Sequence, residues 1–402
     1  MIAQLRATEI TSKNRNENIF FGPLKEFPAT ISSASREKIS ASYHETITQK
    51  IIPAYTAMAD FLEKEYLPKS RNTDGYHAIA NGKNAYAYHV KSWTTTNTDV
   101  EKIRKIGEEE VAMLRSEMEK VKLQLGFQGT LEEFLTHLKT DPKAMPYRSS
   151  KEVLAAFNEI MKKIEPKLGS MFSVFPKTGF EIRQTEKFRE ASASAEYVQG
   201  TPDGKRAGIF YIPIPDPSKF NITSGMESLF LHEAIPGHHY QVALQQENEN
   251  IPKFMRFGWF GAYGEGWAHY CETLGPEFDL YTNPYQKMGY LSDQMLRAVR
   301  LVIDTGIHTG SMSREQAIQY FLSNVAYDEA SATAEIERYM AMPGQALSYK
   351  IGSIKIRELR NKYEASLGNK FHLAKFHDEI LSQGCLPLSV LERKMELWAN
   401  KQ

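Results

Sequence analysis

The sequence lacks the features that mark several large protein classes. Its two cysteines, Cys271 and Cys385, are too few for a disulfide framework or a cysteine zinc cluster, although one bridge between them stays open. Charge is balanced at 49 basic and 49 acidic side chains, so neither nucleic acid nor an anionic membrane is expected as a partner. No apolar run approaches the roughly eighteen residues of a membrane helix, and the first fifteen residues do not resemble a signal peptide. These absences favour a globular protein without an integral membrane segment.

Helical periodicity dominates the chain. Apolar residues recur at three- and four-residue intervals in several long segments, as on the buried face of a helix. The predicted helices cover residues 34–66 (interrupted by Pro53), 99–125, 131–138 and 151–164. We therefore predict a mainly α fold in a single domain, residues 1–402, with an N-terminal helical part at 18–170 and a second part at 171–402.

A stretch rich in proline and glycine, residues 172–217, interrupts the helical pattern and contains the β-prone run Gly208–Ile212. This run predicts a strand of one small sheet, and two interpretations of it stay open. The strand either fills the core or forms a sheet edge that pairs with an extended substrate. Helices resume after residue 217, where Ser313…Gln316 and Ser389…Glu392 both have the spacing of a capping box.

The segment HEAIPGHHYQ carries the most specific chemical signal. Two histidines one helical turn apart, with a glutamate after the first, are typical of zinc helices, in which that glutamate activates the bound water. Here His232 and His238 are six apart, which leaves them roughly 120° apart on a straight helix. The intervening Pro236-Gly237 pair would distort the helix and could bring them together. We prefer His238 as the second ligand and keep His239 as the alternative ligand or a neighbour of the ligands.

A third ligand is expected from the segment GAYGEGWAHYCE. Glu265 and Glu272 are seven apart and share one face of a helix. Glu265 would bind the metal, and Glu272 would accept a hydrogen bond from a ligand histidine. The alternative for Glu272 is an ordinary surface glutamate.

The segment EIERYMAMPGQALSYKIG supplies candidates for binding and stabilising a substrate. Tyr339 and Tyr349 could donate hydrogen bonds to a developing oxyanion. Arg338 and Lys350 could receive a substrate carboxylate. The alternatives are that the tyrosines only pack in the core and that Arg338 pairs with Glu335.

These three segments together resemble the bacterial domain-of-unknown-function family 885. Further matching segments are KIIPAYTAMADFLEKEYLPKSR, HVKSWTTTNTDVEKIRKIGEEEV and AGIFYIPIP, so the resemblance runs from about Asn18 to about Trp398. The family is placed among the gluzincin-like metallopeptidases, distant relatives of thimet oligopeptidase and angiotensin-converting enzyme. The resemblance implies a large helical gluzincin-like domain with a small sheet next to the active-site helices.

The resemblance also implies a zinc site with one Zn²⁺ per chain. It places the metal on His232, His238 and Glu265 and the general base on Glu233, and it adds Gln345 to the substrate-binding candidates. Members are bacterial and often exported or periplasmic. They usually carry a further helical segment ahead of the point where this chain begins, so we expect a naturally short or N-terminally truncated form.

The function expected from these residues is zinc-dependent hydrolysis of peptide bonds in short peptides. The basic candidate residues favour a carboxypeptidase- or dipeptidase-like activity. Two alternatives remain: a metal- or peptide-binding protein without catalysis, because its cleft is incomplete, and a zinc amidohydrolase that acts on a non-peptide amide. The sequence leaves the oligomeric state and the preferred side chain open.

Overall fold

The computed structural model describes residues 1–190 and 193–402, which divide into two compact units, Met1–Thr73 and Asp74–Gln402. These units differ from the predicted single domain with parts at 18–170 and 171–402. The boundary follows the end of a helical run at Lys69. The boundary lies in a short polar segment. Because the composition does not change there, the sequence did not reveal the boundary.

The first unit is helical. Its α-helices are Ile2–Leu5 (α1), Thr8–Thr11 (α2), Ser33–Thr46 (α3) and Ile52–Phe61 (α4), with 3₁₀ turns at Ile19–Leu24 and Leu67–Lys69 and π-helical turns at Ile47–Ile51 and Leu62–Tyr66. The predicted helix at 34–66 is thus present as a continuous helical run. Its first π turn lies just before Pro53, where a missing amide hydrogen interrupts the helical hydrogen bonds. Phe21, Leu24 and Ile47 are part of the small core of this unit.

The second unit is also mainly helical. Its α-helices are Gly82–Thr94 (α5), Val100–Gln124 (α6), Leu131–Leu138 (α7), Ser150–Ile164 (α8), Leu168–Met171 (α9), Met226–Glu233 (α10), His238–Glu247 (α11), Lys253–Arg256 (α12), Gly261–Glu272 (α13), Pro284–Thr309 (α14), Arg314–Leu322 (α15), Glu329–Ala341 (α16), Ser348–Leu367 (α17), Leu373–Leu381 (α18) and Leu388–Ala399 (α19). Short 3₁₀ turns lie at Glu165–Lys167, Pro217–Lys219, Ile222–Ser224, Gly275–Phe278, Gln345–Leu347 and Gly368–Lys370. The helices predicted at 99–125, 131–138 and 151–164 are confirmed as α6, α7 and α8.

Local capping explains where several of these helices begin. The predicted capping box of Ser313 and Gln316 is present at the start of α15. The capping box predicted for Ser389 is wrong, because α19 already begins at Leu388. A contact distant in sequence fixes this start, since the amide of Leu388 donates to the hydroxyl of Thr95 at 2.8 Å.

Three strands form one small sheet: Phe180–Gln184 (β1), Glu196–Val198 (β2) and Gly208–Ile212 (β3). Their order is β1-β3-β2, with β1 parallel and β2 antiparallel to β3. The predicted strand is therefore β3, and it is central, which excludes the interpretation of it as a sheet edge. Phe210 of β3 is fully buried, and its ring packs 5.5 Å from that of Phe157 on α8 and 6.3 Å from that of Phe230 on α10. The sheet thus packs directly against α10.

The helices that carry the candidate ligands pack closely on one another. α13 packs against α10, α11 and α17, and α14 packs along α6. The α13–α17 crossing depends on two facing glycines, because a Cβ on Gly266 would lie 2.5 Å from Cα of Gly352. Cys271 of α13 and Cys385 are both buried and free, so the bridge left open by the sequence does not form.

Candidate metal centre

The two candidate histidines lie on either side of a break between α10 and α11. α10 ends at Glu233, the Ile235–Pro236 peptide is cis, and α11 begins at His238. A Cβ on Gly237 would lie 2.0 Å from the carbonyl oxygen of His232, so only glycine allows the chain to pass this close to the preceding helix. The sequence predicted one distorted helix, and the structure has two helices joined by this tight connection.

His232, His238 and Glu265 converge from α10, α11 and α13. Oε2 of Glu265 lies 3.5 Å from Nε2 of His232 and 3.3 Å from Nε2 of His238. One donor atom from each of the three residues lies within 4.8 Å of the other two. In a tetrahedral zinc site with bonds of about 2.0–2.2 Å, two donors lie about 3.3–3.6 Å apart. The spacing of these donors therefore fits a zinc ion.

The hydrogen-bonding state of Glu265 supports the same fit. Its Oε2 atom is buried and, although the two imidazole nitrogens lie within 3.5 Å, it accepts no hydrogen bond of good geometry among residues 1–190 and 193–402. A buried carboxylate oxygen without a partner is unfavourable, and a bound cation satisfies it. The donor set of two imidazoles and one carboxylate is also one that zinc uses in hydrolases.

Glu272 fixes the orientation of His232 from the side away from Glu265. Its Oε1 lies 2.8 Å from Nδ1 of His232, and its Oε2 lies 3.1 Å from both Nε2 of Gln294 and Nδ1 of His269. Because Nδ1 is engaged by Glu272, Nε2 is the ring nitrogen of His232 that faces Glu265, and it is the one that would bind a metal after losing its proton. Such carboxylate–histidine pairs are typical around metal ions. His238 has no comparable support, because its Nδ1 finds no partner within the described part of the chain.

The electrostatics of the cluster are those of closely spaced opposite charges. Burial lowers the pKa of His232, but its contacts with Glu265 and Glu272 outweigh burial and raise the pKa to about 10. Burial raises the pKa of Glu265, but His238 and His232 outweigh it and hold the pKa well below its usual range. A metal ion would compete with the proton for the same imidazole nitrogen.

Glu233 lies beside the cluster and lines the cleft. It is 8% exposed. Burial and, to a smaller extent, Glu265 raise its pKa, while His238 and His232 act in the opposite direction. A carboxylate with a raised pKa is suited to accept a proton and to release it again near neutral pH.

The cluster opens into a cleft of about 1430 Å³. Tyr197 and Val198 of the edge strand β2 contribute to its wall, and α14 and α16 contribute Arg297 and Arg338. The indole ring of Trp259 lies 5.8 Å from the His238 ring and is half-exposed. A cleft of this size admits a small ligand or a short peptide next to the candidate ligands.

Two of the predicted substrate-contacting residues lie in this cleft. The Tyr349 ring stacks 6.3 Å from the His232 ring, and Arg338 lies further along the wall. Burial raises the pKa of Tyr349, so its hydroxyl keeps its proton and can donate a hydrogen bond. Arg338 pairs with Glu335 at 3.2 Å, as the structural alternative proposed, and remains partly exposed to the cleft.

Tyr339 and Gln345 do not occupy the positions expected of them. The Tyr339 side chain is fully buried, and its hydroxyl donates to Glu335 at 2.6 Å, one helical turn back on α16. It therefore supports Glu335 and does not face an oxyanion. Oε1 of Gln345 accepts a hydrogen bond from Arg338 at 2.6 Å, so Gln345 positions this arginine and does not line the cleft.

Lys350 is also not placed to bind substrate. Its Nζ lies 2.7 Å from Oε2 of Glu110 and 3.2 Å from Oε1 of Gln294, and the residue is 3% exposed. Burial lowers its pKa, although Glu110 opposes this effect. The expected carboxylate-binding role is therefore corrected to an internal ion pair between α6 and α17.

His239 faces away from the cluster. Its Nδ1 lies 3.0 Å from the hydroxyl of Tyr197, and its ring packs 4.6 Å from that of Phe180 on β1. Burial lowers its pKa to about 4. Neighbouring residues at the start of a helix point about 100° apart, so one histidine reaches the ligands and the next reaches the sheet. The structure selects His238 as the ligand candidate and excludes both roles considered for His239.

Sequence reasoning missed two buried arginines of α14 that line the cleft. Arg297 is 8% exposed and Arg300 is 6% exposed. A signal was present, because both interrupt the otherwise apolar run at 296–303. Arginine is rarely buried without a partner, so two of them in a buried helix indicate a site or an ion-pair network. Trp259, by contrast, carried no recognisable pattern.

Comparison with known proteins establishes the family. The family model described as "Bacterial protein of unknown function (DUF885)" matches residues 1–395. The chain belongs to this family. No curated protein matches it significantly.

Solved structures of other proteins resemble the chain. The "putative lipoprotein" from Colwellia psychrerythraea is 31% identical, with a TM-score of 0.93 over 100% of this chain and 69% of that one. The "putative lipoprotein of unknown function" from Shewanella oneidensis is 20% identical, with a TM-score of 0.68 over 93% of this chain and 69% of that one, and it shows the fold alone. In the described parts of this family member, no helix is long and apolar enough to cross a membrane.

Proposed function

We propose that the chain is a zinc-dependent metallopeptidase of the gluzincin type that hydrolyses peptide bonds in short peptides. The observation that carries the proposal is the convergence of His232, His238 and Glu265 on one point in a cleft that all three line. Their spacing and the unpartnered Oε2 of Glu265 fit a zinc ion. In this proposal the HExxPGHH segment supplies two metal ligands and the general base, as the HExxH helix does in other zinc peptidases.

The residues around this point can share the steps of peptide hydrolysis. A bound zinc ion would polarise the scissile carbonyl and lower the pKa of the attacking water. Glu233 accepts the proton of that water and passes it to the leaving amine, as its position in the cleft and its raised pKa allow. Tyr349, whose ring stacks on His232, donates its hydroxyl to the oxygen that becomes negatively charged.

The shape of the cleft supports a peptide substrate over a small non-peptide amide. Among residues 1–190 and 193–402, the strand β2, Glu196–Val198, has only β3 as a neighbour, and its three residues line the cleft. An unpaired strand edge binds an extended peptide through backbone hydrogen bonds. The arginines that also line the cleft favour a carboxypeptidase- or dipeptidase-like activity.

The proposal is tested with two variants that separate metal binding from turnover. Glu233→Gln should keep the metal content of the parent protein and lose at least about 100-fold in kcat on a mixture of short peptides. Glu265→Gln should lose both metal and activity, because it removes a charged ligand. Turnover that persists in Glu233→Gln would contradict the mechanism. A parent protein that binds zinc and cleaves no peptide would favour the alternative of a binding protein without catalysis.

We also propose that the protein is exported. The support is the description of the 31% identical structural relative as a "putative lipoprotein". Fractionation of cells that express the full-length gene product should find the protein outside the cytoplasm, and its recovery only from the cytoplasm would contradict this.

A further inference from the structure

One wall of the cleft carries more positive than negative charge. Arg297 and Arg300 of α14 and Arg338 of α16 all line it, together with the carboxylates of Asp293 and Glu335. Three guanidinium groups thus face two carboxylates. Glu335 is shared by two of the arginines, at 3.0 Å from Arg300 and 3.2 Å from Arg338. Among the residues that line this wall, the arginines therefore outnumber the acids by one, while Glu272, 3.8 Å from Arg297, is buried and does not line the cleft.

Arg297 has an unused donor in this wall. One of its terminal amino groups donates to Asp293 at 3.1 Å, while its Nε–H is buried and has no hydrogen-bond partner in the parts of the chain that the structure describes. The residue is 8% exposed and lines the cleft. A buried guanidinium with an unused N–H is unfavourable unless a ligand supplies the acceptor. A carboxylate matches the planar arrangement of its donors.

Arg297 lies close to the candidate metal ligands. The carboxylate of Glu272 is 2.8 Å from Nδ1 of His232 and 3.8 Å from Arg297, so two contacts join the imidazole to the guanidinium. The ring of Tyr349 lies between them as well, 6.3 Å from the His232 ring and 5.8 Å from the Arg297 guanidinium carbon. Each residue of an extended peptide spans about 3.3–3.6 Å. One or two residues therefore cover the distance from the cluster to Arg297.

We propose that Arg297, with the neighbouring Arg300 adding positive charge, binds a carboxylate that lies one or two residues beyond the scissile bond. This deepens the proposed peptidase function and rests on it. The free C-terminus of a peptide is such a carboxylate, and the protein then removes one or two residues from the C-terminal end. An acidic side chain in the same position is a second source of this group.

The test compares three N-acetylated dipeptides that differ in their carboxylate. They are acetyl-alanyl-phenylalanine, its C-terminal amide, and acetyl-alanyl-glutamic acid amide, which carries only a side-chain carboxylate. Isothermal titration calorimetry is performed on the full chain after removal of metal by a chelator. The free acid should bind about 10- to 100-fold more tightly than the first amide, as expected for charge-assisted hydrogen bonds. Tighter binding of the glutamate amide than of the free acid would identify the side chain as the source.

A variant assigns the preference to Arg297. Arg297→Lys keeps the positive charge beside Asp293 and loses the Nε donor, so the ratio of acid to amide affinity should fall at least about 5-fold. Arg256→Lys is the matched control, because Arg256 also lines the cleft but donates to the carbonyl of Gln246, and it should leave the ratio unchanged. The comparison in the parent protein does not depend on the folding of either variant.

The outcomes separate this proposal from the proposed zinc activity. If the protein does not bind zinc but the metal-free chain still prefers the free acid, the carboxylate subsite stands without the peptidase. If zinc binds and peptides are cleaved while all three dipeptides bind equally, the subsite is refuted and the peptidase stands. Failure of every dipeptide to bind also overturns the subsite.

Discussion

Substituting alanine for Gly237 tests whether the α10–α11 break sets the metal geometry. The new Cβ would lie 2.0 Å from the carbonyl oxygen of His232 and 2.3 Å from that of Leu231. Both oxygens belong to the backbone at the end of α10, so the clash cannot be relieved by a change of side-chain rotamer and the backbone itself must move. Separation to 3.0 Å, below which Cβ contacts essentially do not occur, requires a movement of about 1 Å. The indole N–H of Trp267 restrains the junction from the other side, since it donates to Pro236 at 2.9 Å.

A shift of this size exceeds what a zinc site tolerates, since metal–ligand distances vary by only about 0.2 Å. We expect Gly237→Ala to weaken zinc binding at least 100-fold in a chelator competition assay and to lower stability by about 1–3 kcal/mol. Gly169→Ala is the control, because a Cβ at this exposed helical position meets no atom within 4 Å and should change neither quantity adversely. Parent-like zinc affinity in Gly237→Ala would refute the argument that this junction positions His238.

Three further predictions concern the surroundings of the site. Glu272→Gln should weaken zinc binding about 10- to 100-fold, because the amide no longer supports His232 as a charged acceptor, and unchanged affinity in chelator competition would contradict this. Gly352→Ala should lower the melting temperature by at least about 3 °C, since its Cβ would lie 1.8 Å from a backbone oxygen of α13. A thermal transition like that of the parent protein would show that the packing of α13 on α17 can adjust to the added methyl group. Burial lowers the pKa of His377 to about 3, so its contribution to stability is present above pH 6.5 and is lost as the pH falls towards 3. Between pH 6.5 and 4.5, the free energy of unfolding measured in urea titrations should fall by about 2 kcal/mol less in His377→Gln than in the parent protein. The control His372→Gln, at an exposed site, should show the same fall as the parent. Equal pH dependence in both variants would oppose this assignment.

The parts of the fold that depend on local sequence could be predicted. The helices α6, α7 and α8 follow from apolar periodicity, and the start of α15 follows from the Ser313 capping box. The start of α19 could not be found this way, because a hydrogen bond from Leu388 to Thr95 sets it across nearly three hundred residues. The short strands β1 and β2 carry no strong alternation, so they emerge only through pairing with β3.

The candidate site could be predicted where one motif carries the geometry. The approach of His238 to His232 agrees with what the Pro-Gly pair led us to expect, and Glu265 comes from the second motif, on which the family resemblance also places a metal ligand. The positions of Tyr339 and Lys350 could not be predicted from the sequence, because tertiary packing decides whether an aromatic or basic residue near a motif faces the cleft or the core. Tyr339 donates a hydrogen bond to Glu335, and Lys350 forms an ion pair with Glu110. No sequence pattern distinguishes either of these internal contacts from a contact with substrate.

The zinc content of the parent protein and of two neighbouring histidine variants tests the central claim most directly. His238 reaches the cluster, and His239 contacts Tyr197 beside the sheet. The parent and His239→Gln, purified without chelators, should each contain close to one zinc ion per chain, while His238→Gln should contain much less after equilibration with the same zinc buffer. An absence of zinc from the parent after zinc is supplied, or equal zinc content in the two variants, would contradict the metal site and the peptidase activity proposed from it.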